Sequence, residues 1–112
     1  MYPMEYNKIM KYVIKQTEIF AKWMAEINDF KAQVRIAARL EAARNGNFGD
    51  WKPIEAGLME MRIDYGPGYR LYYGQVGRII FLIVGGGIKR TQKRDIKTML
   101  SLWKEIKGDY DE

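Results

Sequence analysis

The sequence predicts an α+β fold with the element order β-α-α-β-β-β-α. Three observations predict it: Leu58 to Tyr73 alternates apolar and polar residues around Gly66-Pro67-Gly68, apolar residues recur at helical spacing between Thr17 and Gly46, and Ile79 to Gly86 is an unbroken apolar run. We expect a twisted, antiparallel-rich sheet with an N-terminal αα-hairpin on one face and a C-terminal helix.

The alternating stretch predicts a β-hairpin with two chemically different faces. A three-residue loop, Gly66 to Gly68, would keep the faces separate and would pair Asp64 with Arg70 and Arg62 with Tyr72. A two-residue loop at Pro67-Gly68 would mix the faces, so we prefer the longer loop. The apolar face then carries Met59, Met61, Ile63, Tyr65, Tyr69, Leu71 and Tyr73.

The helical stretches begin after a first short strand, Lys11 to Gln16. Thr17 is a suitable N-cap for a first helix that stops near Asn28, and Asp29 can cap a second helix that ends at Asn45-Gly46. The inner stripe of the second helix is predicted to be Phe30, Val34, Ala37, Leu40 and Ala43, with Lys31, Arg35, Arg39 and Arg44 facing outward.

The remaining segments complete the predicted order. Residues 47–57 lack any period and carry two glycines and a proline, which is typical of a loop. The apolar run from Ile79 predicts a central strand covered on both faces and ended by Gly85-Gly86-Gly87. Thr91 can cap a last helix whose apolar stripe is Ile96, Met99, Leu100, Trp103 and Ile106.

Composition limits the possible chemistry. The 112 residues suit one domain, residues 1–112, with a core of about 11–106. The chain has no cysteine and no histidine, which excludes disulfides, thiolate nucleophiles and the commonest general base. The longest apolar run, Ile79 to Val84, is far below the roughly 20 residues that span a bilayer. The amino terminus lacks the apolar core of a signal peptide, so we expect a cytoplasmic protein without membrane contact.

The net charge of +5 is unevenly distributed. Residues 58–97 hold eight basic and three acidic residues, whereas residues 98–112 hold two basic and four acidic ones. A concentrated basic surface suits a polyanion or an acidic protein partner. A solvated face that happens to be basic is the alternative.

Several motifs together resemble a known family. They are Gly46-Asn47, Gly49-Asp50, Lys52, Glu60-x-Arg62, Tyr65-Gly66-Pro67-Gly68-Tyr69-Arg70-x-Tyr72-Tyr73 and Gly86-Gly87-x-Lys89-x-x-Gln92-x-x-Asp95-Ile96. This pattern is similar to that of the addiction-module killer proteins, the HigB-like, phage Gp49-like branch of the RelE/ParE toxin superfamily. The resemblance runs from about Lys11 to Trp103. One departure is Ile88, where the family usually has a polar residue.

The resemblance implies the toxin of a type II toxin-antitoxin pair, with a RelE/ParE toxin-like fold. Such toxins include ribosome-dependent mRNA endonucleases, so the implied partners are mRNA on the ribosome and a small antitoxin, often of helix-turn-helix type, through which DNA would be reached. The ParE side of the superfamily instead poisons DNA gyrase without cutting RNA. A degenerate domain that retains only antitoxin binding is a third possibility, for which Ile88 is the one hint.

RNA cleavage by a 2′-OH needs a base, positive charge on the phosphate and an acid for the leaving oxygen. Relatives without histidine use Lys, Arg and Tyr, with no metal or cofactor. The catalytic candidates are Lys52, Arg62, Arg70, Tyr72 and Lys89. Candidate RNA-binding residues are Arg78, Arg90, Lys93, Arg94 and Trp51. A purely structural interpretation remains open, in which Arg70 pairs with Asp64, and Arg62 with Glu60 or Asp95.

Overall fold

The computed structural model describes residues 11–110 and shows an α+β fold built on one five-stranded sheet. The sheet order is β1-β5-β4-β3-β2; β1 runs parallel to β5, and the other neighbours are antiparallel. The elements are β1 (Val13–Gln16), α1 (Glu18–Ala25), α2 (Phe30–Arg44), β2 (Trp51–Glu55), β3 (Leu58–Ile63), β4 (Tyr69–Gln75), β5 (Ile80–Ile88), a 3-10 turn (Lys89–Thr91) and α3 (Gln92–Tyr110). The predicted α+β class is therefore confirmed, with one strand more than expected.

The additional strand, β2, lies where a loop was predicted. It forms the edge of the sheet beside β3. Pro53 is tolerated there because an edge strand has a neighbouring strand on one side only, so a missing N–H on the other side breaks no hydrogen bond of the sheet. A tight turn joins β2 to β3 with positive φ at both Ala56 (53°) and Gly57 (87°). Alanine is a rare residue at such a position, and this turn signal was therefore missed.

The predicted β3-β4 hairpin is present, but its register is wrong by two residues. Arg62 lies opposite Arg70, and Glu60 lies opposite Tyr72, so that Asp64 falls in a five-residue loop rather than opposite Arg70. The loop is longer because Gly66 takes a φ of 56° and the Gly68 N–H donates to the Tyr65 carbonyl at 3.1 Å. Because side chains alternate between the faces with a period of two, a register shift of two residues leaves every side chain of the two strands on its predicted face.

The helical hairpin has the predicted caps. The Thr17 hydroxyl accepts from the Phe20 N–H, and the Asp29 carboxylate accepts from the N–H groups of Lys31 and Ala32. The first helix, however, ends at Ala25, three residues before the predicted stop near Asn28.

The inner stripe of α2 was partly wrong. The buried residues are Ala32, Ile36, Leu40 and Ala43, whereas Phe30 and Val34 are 74% and 51% exposed and Ala37 is exposed. Phe30 and Val34 lie two positions before the buried Ala32 and Ile36, and residues two positions apart lie about 200° apart around a helix. They therefore belong to a second apolar stripe of α2, which faces outward.

Helices cover both faces of the sheet. Helices α1 and α2 pack on the predicted apolar face, against residues that include Met61, Leu71 and Tyr73. Helix α3 packs on part of the opposite face, where it buries Tyr72, Val84 and Trp103. Within residues 11–110, no helix combines the length and apolar content that a bilayer crossing requires.

Strand β5 is covered on both faces, as predicted, but it continues through its three glycines to Ile88. A β-carbon built on Gly85 would lie 2.5 Å from the Met99 sulfur, and one on Gly86 would lie 2.5 Å from the Trp23 ring. One on Gly87 would collide with the Asp95 carboxylate. The glycines therefore let both helical layers approach the strand, rather than ending it.

Candidate anion-binding cleft

The cleft lies at the open end of the α3 face of the sheet. Arg62 on β3 and Arg70 on β4 are direct cross-strand partners, and Gly87 on β5 lies beside Arg70. The cleft has a volume of about 320 Å³. Its lining is Asp50, Arg62, Asp64, Gly68, Arg70 and Lys89. The structure therefore brings together three of the five predicted catalytic residues.

The two arginines place like charges directly opposite each other in the sheet. Like charges directly opposite each other in a sheet are destabilising, so the pair requires compensation by anions. Arg62 is compensated by Asp50, whose Oδ1 lies 3.1 Å from its Nη2. Both side chains are exposed, so this ion pair contributes at most about 1 kcal/mol. The structural alternatives that paired Arg62 with Glu60 or Asp95 are not observed.

Arg70 is held more firmly than Arg62. It is 8% exposed, its Nη1 donates to the Tyr69 carbonyl at 3.2 Å, and its Nε lies 4.0 Å from Oε1 of Glu60. At 4.0 Å this contact is an ion pair and not a hydrogen bond. Within residues 11–110, neither the Arg70 Nε nor the buried Arg62 Nε has a hydrogen-bond acceptor. Both arginines line the cleft, and their positive charges suit an added anion.

Glu60 connects the arginines to α3. Its side chain is completely buried, and the Gln92 amide nitrogen donates to both carboxylate oxygens, at 3.1 and 2.9 Å. A buried carboxylate requires such partners, because its desolvation is costly. Glu60 and Gln92 stand in the sequence motifs, but their pairing was missed because they are far apart in sequence.

Arg39 also contributes to the geometry of the cleft, although it was predicted to face outward. Its guanidinium donates to the carbonyls of Arg62 (2.6 Å), Phe48 (3.2 Å) and Asp50 (3.3 Å). Burial lowers the pKa of Arg39, and the nearby Asp50 carboxylate opposes that shift. These three bonds connect α2 to the segment that carries Asp50, and so position Asp50 against Arg62.

Several basic residues follow β5, and of these Lys89 lines the cleft. The Lys89 N–H donates to the Gly68 carbonyl at 2.8 Å, which fixes the 3-10 turn beside the β3-β4 loop. Arg90, Lys93 and Arg94 are exposed on this turn and on the first turn of α3. Thr91 was predicted to cap α3; its hydroxyl instead donates to Asp95 Oδ2 at 2.5 Å.

Besides Arg90, Lys93 and Arg94, four predicted site residues lie outside the cleft lining. Tyr72 is fully buried beneath α3, and burial, with the Glu60 carboxylate nearby, raises its pKa strongly. Lys52 pairs with Glu60 in the sheet, one row of side chains away from the two arginines. Trp51 pairs with Met61 and therefore belongs to the opposite face. Arg78 lies between β4 and β5, at the other end of these strands.

Ile88 has a structural explanation. Its neighbour in the sheet is Tyr69, and its half-buried side chain packs against the core beneath α1 and α2. Since neighbouring residues of a strand point to opposite faces, Ile88 does not face the arginines. The side chain at position 88 therefore does not line the cleft.

The fold and cleft define an α+β protein with a preorganised cationic site. No protein-family model matches the chain. An uncharacterized protein from Haemophilus influenzae is 37% identical to it over 97 residues, which cover 87% of this chain and 98% of that protein. The chain therefore belongs to the same family as this Haemophilus protein.

Proposed function

We propose that the protein is the toxin of a type II toxin-antitoxin pair, with a RelE/ParE-like fold, and that it cleaves mRNA on the ribosome. The observation that carries the proposal is the cross-strand pair Arg62 and Arg70, which both line the cleft. A protein that needed these residues only for stability would gain little from placing two like charges side by side. The sequence motifs of the killer proteins support the same assignment.

The chemistry follows from the residues of the cleft. The 2′-hydroxyl oxygen attacks the adjacent phosphorus while its proton passes to a carboxylate, for which Asp64 is the candidate because it lines the cleft. The bond from phosphorus to the 5′ oxygen breaks, and the Lys89 ammonium gives this oxygen a proton. The products are a 2′,3′-cyclic phosphate and a 5′-hydroxyl. Arg62 and Arg70 stabilise the charge that grows on the phosphoryl oxygens.

The partners in this proposal are mRNA on the ribosome and a cognate antitoxin of helix-turn-helix type, which would provide the only contact with DNA. The concentration of positive charge between residues 58 and 97 supports a polyanionic target. The proposed function also predicts the compartment, because such a toxin acts in the cytoplasm, where translation takes place.

Primer extension on a translated message tests the proposal. Wild-type protein should produce new 5′ ends within the translated region of the message. Arg62→Gln should abolish them, whereas Arg78→Gln, an exposed arginine at the other end of the sheet, should leave them unchanged. Growth arrest by wild-type protein with intact transcripts would refute the endonuclease.

A second candidate function is a non-catalytic poison of an enzyme such as gyrase. The outward apolar stripe of α2, where Phe30 is 74% exposed and Val34 is 51% exposed, favours it, because exposed apolar patches often mark protein interfaces. The double variant Phe30→Ser/Val34→Ser separates the two functions. Loss of toxicity in this variant, together with full toxicity of Arg62→Gln, would identify the poison.

A further inference from the structure

A second concavity lies along the free edge of β5. Strand β1 pairs with β5 only as far as Gln16 and Ile83, so within residues 11–110 the segment Gly86 to Ile88 has no neighbouring strand on that side. Trp23 of α1 forms one wall of this slot, and Asp95 of α3 forms the other. Its volume is about 280 Å³, roughly nine times the ~30 Å³ that one water occupies in the liquid.

The floor of the slot carries main-chain hydrogen-bonding groups. The Lys89 N–H donates to the Gly68 carbonyl, which makes this a hydrogen-bonded pair in the antiparallel ladder. Such pairs alternate along the strand, so Gly87 bonds to Arg70 while the N–H and C=O of Gly86 point to the free edge. Gly86 therefore presents one donor and one acceptor to the slot.

Both ends of the slot are closed. At one end the Thr17 hydroxyl donates to the Val84 carbonyl at 2.7 Å, and at the other the Thr91 hydroxyl, whose proton goes to Asp95, lies 3.3 Å from the Ile88 carbonyl oxygen. An extended peptide advances about 3.3 Å per residue, so a strand could not continue past either threonine. The slot consequently suits a compact planar group rather than an added β-strand.

The chemistry of the walls matches a nucleobase. The Trp23 indole lies directly against Gly86 and is held in place by a tilted contact with Phe20 and an edge contact with Tyr69, whose ring centroids lie 5.7 and 6.1 Å away. Aromatic side chains stack on unpaired bases, and strand-edge amides can bond to the donors and acceptors of a base edge. The Asp95 carboxylate adds an acceptor for an exocyclic amino group.

The charge beside the slot matches a nucleotide. Arg94 lines the slot and is exposed, so its guanidinium can reach a phosphate attached to a base that lies within. The slot and the anion-binding cleft lie on either side of β5, and neighbouring strands are only about 4.8 Å apart. Consecutive nucleotides of one RNA strand could therefore occupy both sites.

We propose that this slot binds a nucleobase of single-stranded RNA, adjacent to the phosphate held by Arg62 and Arg70, and that it sets the base preference at the cleavage site. The inference rests on the proposed function for the identity of the ligand as RNA. Gly86 reads the edge of the base, Trp23 covers its face, and Arg94 binds the neighbouring phosphate.

Titration of isotopically labelled protein with the four nucleoside monophosphates tests the slot by NMR. At least one nucleotide should shift the Gly86 amide and the Trp23 indole N–H, while the indoles of Trp51 and Trp103 provide internal controls. Inorganic phosphate should shift the Arg62 and Arg70 guanidinium signals but neither slot signal. Arg94→Ala should weaken nucleotide binding several-fold, whereas Lys97→Ala, an exposed cation farther along α3, should not.

Removal of the stacking wall gives a second measurement. Trp23→Phe keeps an aromatic ring in the core but reduces the stacking area, and should weaken nucleotide binding, by less than the roughly five- to hundredfold that complete loss of one stacked base represents. Shifts of the arginine signals with every nucleotide, without any shift of Gly86 and Trp23, would overturn the nucleobase slot and leave the anion cleft intact. Absence of shifts at both sites would overturn the slot and the anion cleft together.

Discussion

Arg62 and Arg70 face each other across strands β3 and β4, and each has its own carboxylate partner, Asp50 for Arg62 and Glu60 for Arg70. The two partners differ in character. Asp50 is exposed and can be displaced by a ligand, whereas Glu60 is buried and locked to α3 by Gln92. We therefore expect Arg62 to exchange its carboxylate for a phosphate and Arg70 to keep its position throughout.

Asp50→Asn should strengthen RNA binding. The substitution removes a negative charge that competes with phosphate for Arg62, and one unit charge at 4 Å in water is worth about 1 kcal/mol, or about fivefold in affinity. Fluorescence anisotropy with a labelled single-stranded RNA measures the effect. Glu41→Gln is the matched control, since Glu41 forms a similar surface pair with Arg44 at 3.0 Å, away from the cleft. Equal affinity of Asp50→Asn and wild type would mean that RNA does not reach Arg62.

Gln92→Leu should lower the free energy of unfolding by about 1.5–3 kcal/mol, the range for hydrogen bonds to a charged group, because it leaves buried Glu60 without its amide donor. Gln33→Leu is the control, because the Gln33 amide donates to two neutral carbonyls, of Met24 and Ile27. Urea unfolding compares the two. A loss no larger for Gln92→Leu than for Gln33→Leu would show that Glu60 needs no such support.

Gly87→Ala should destabilise the protein by about 1–3 kcal/mol, because the added methyl group would collide with Asp95 and displace the start of α3. Gly108→Ala should instead stabilise the protein. Gly108 lies within α3 with no atom within 4 Å of an added β-carbon, and alanine is favoured over glycine in a helix by about 0.5–1 kcal/mol. The melting temperatures of both variants test these two expectations. An unchanged melting temperature for Gly87→Ala would contradict the close packing of α3 on β5.

Alkaline pH should destabilise the fold through Tyr72 and Tyr73. Burial raises the pKa of both phenols above their usual value of about 10, so the folded state retains protons that the unfolded state releases. Their contribution is complete below about pH 10 and is lost as the pH rises further. Denaturant unfolding across this range should show the decline, and Tyr72→Phe should reduce it. Tyr110→Phe, at an exposed position, should not.

The sequence predicted most of the fold because its strongest signals are local. The Thr17 and Asp29 caps, the two faces of the hairpin and the buried strand β5 each depend on neighbouring residues, and each was confirmed. Strand β2 was missed because its pattern is only five residues long and contains a proline. The stripe of α2 was partly wrong because two apolar stripes satisfy the same period, and only packing on the sheet decides between them.

The site was less predictable because it depends on register and on distant contacts. A shift of two residues replaced the expected Asp64–Arg70 pair with the Arg62–Arg70 pair, although the same side chains share the face. The coverage of Tyr72 by α3 and the bonds of Arg39 join segments at least 9 positions apart, which no local pattern indicates. Arg62, Arg70 and Lys89 were named as candidates from the family resemblance, and the structure brings them together in one cleft.

The cleavage rate of Arg62→Gln tests the central claim most directly. Arg62 is suited to this test because its side chain is partly exposed, whereas loss of Arg70 would leave the buried Glu60 carboxylate without a cation. Under single-turnover conditions on ribosome-bound mRNA, Arg62→Gln should cleave on the order of a hundredfold more slowly than wild type at an unchanged melting temperature, the scale of losing one preorganised charge stabiliser. Arg78→Gln should match wild type. Cleavage by Arg62→Gln at the wild-type rate would contradict the assignment of the cleft as the catalytic site.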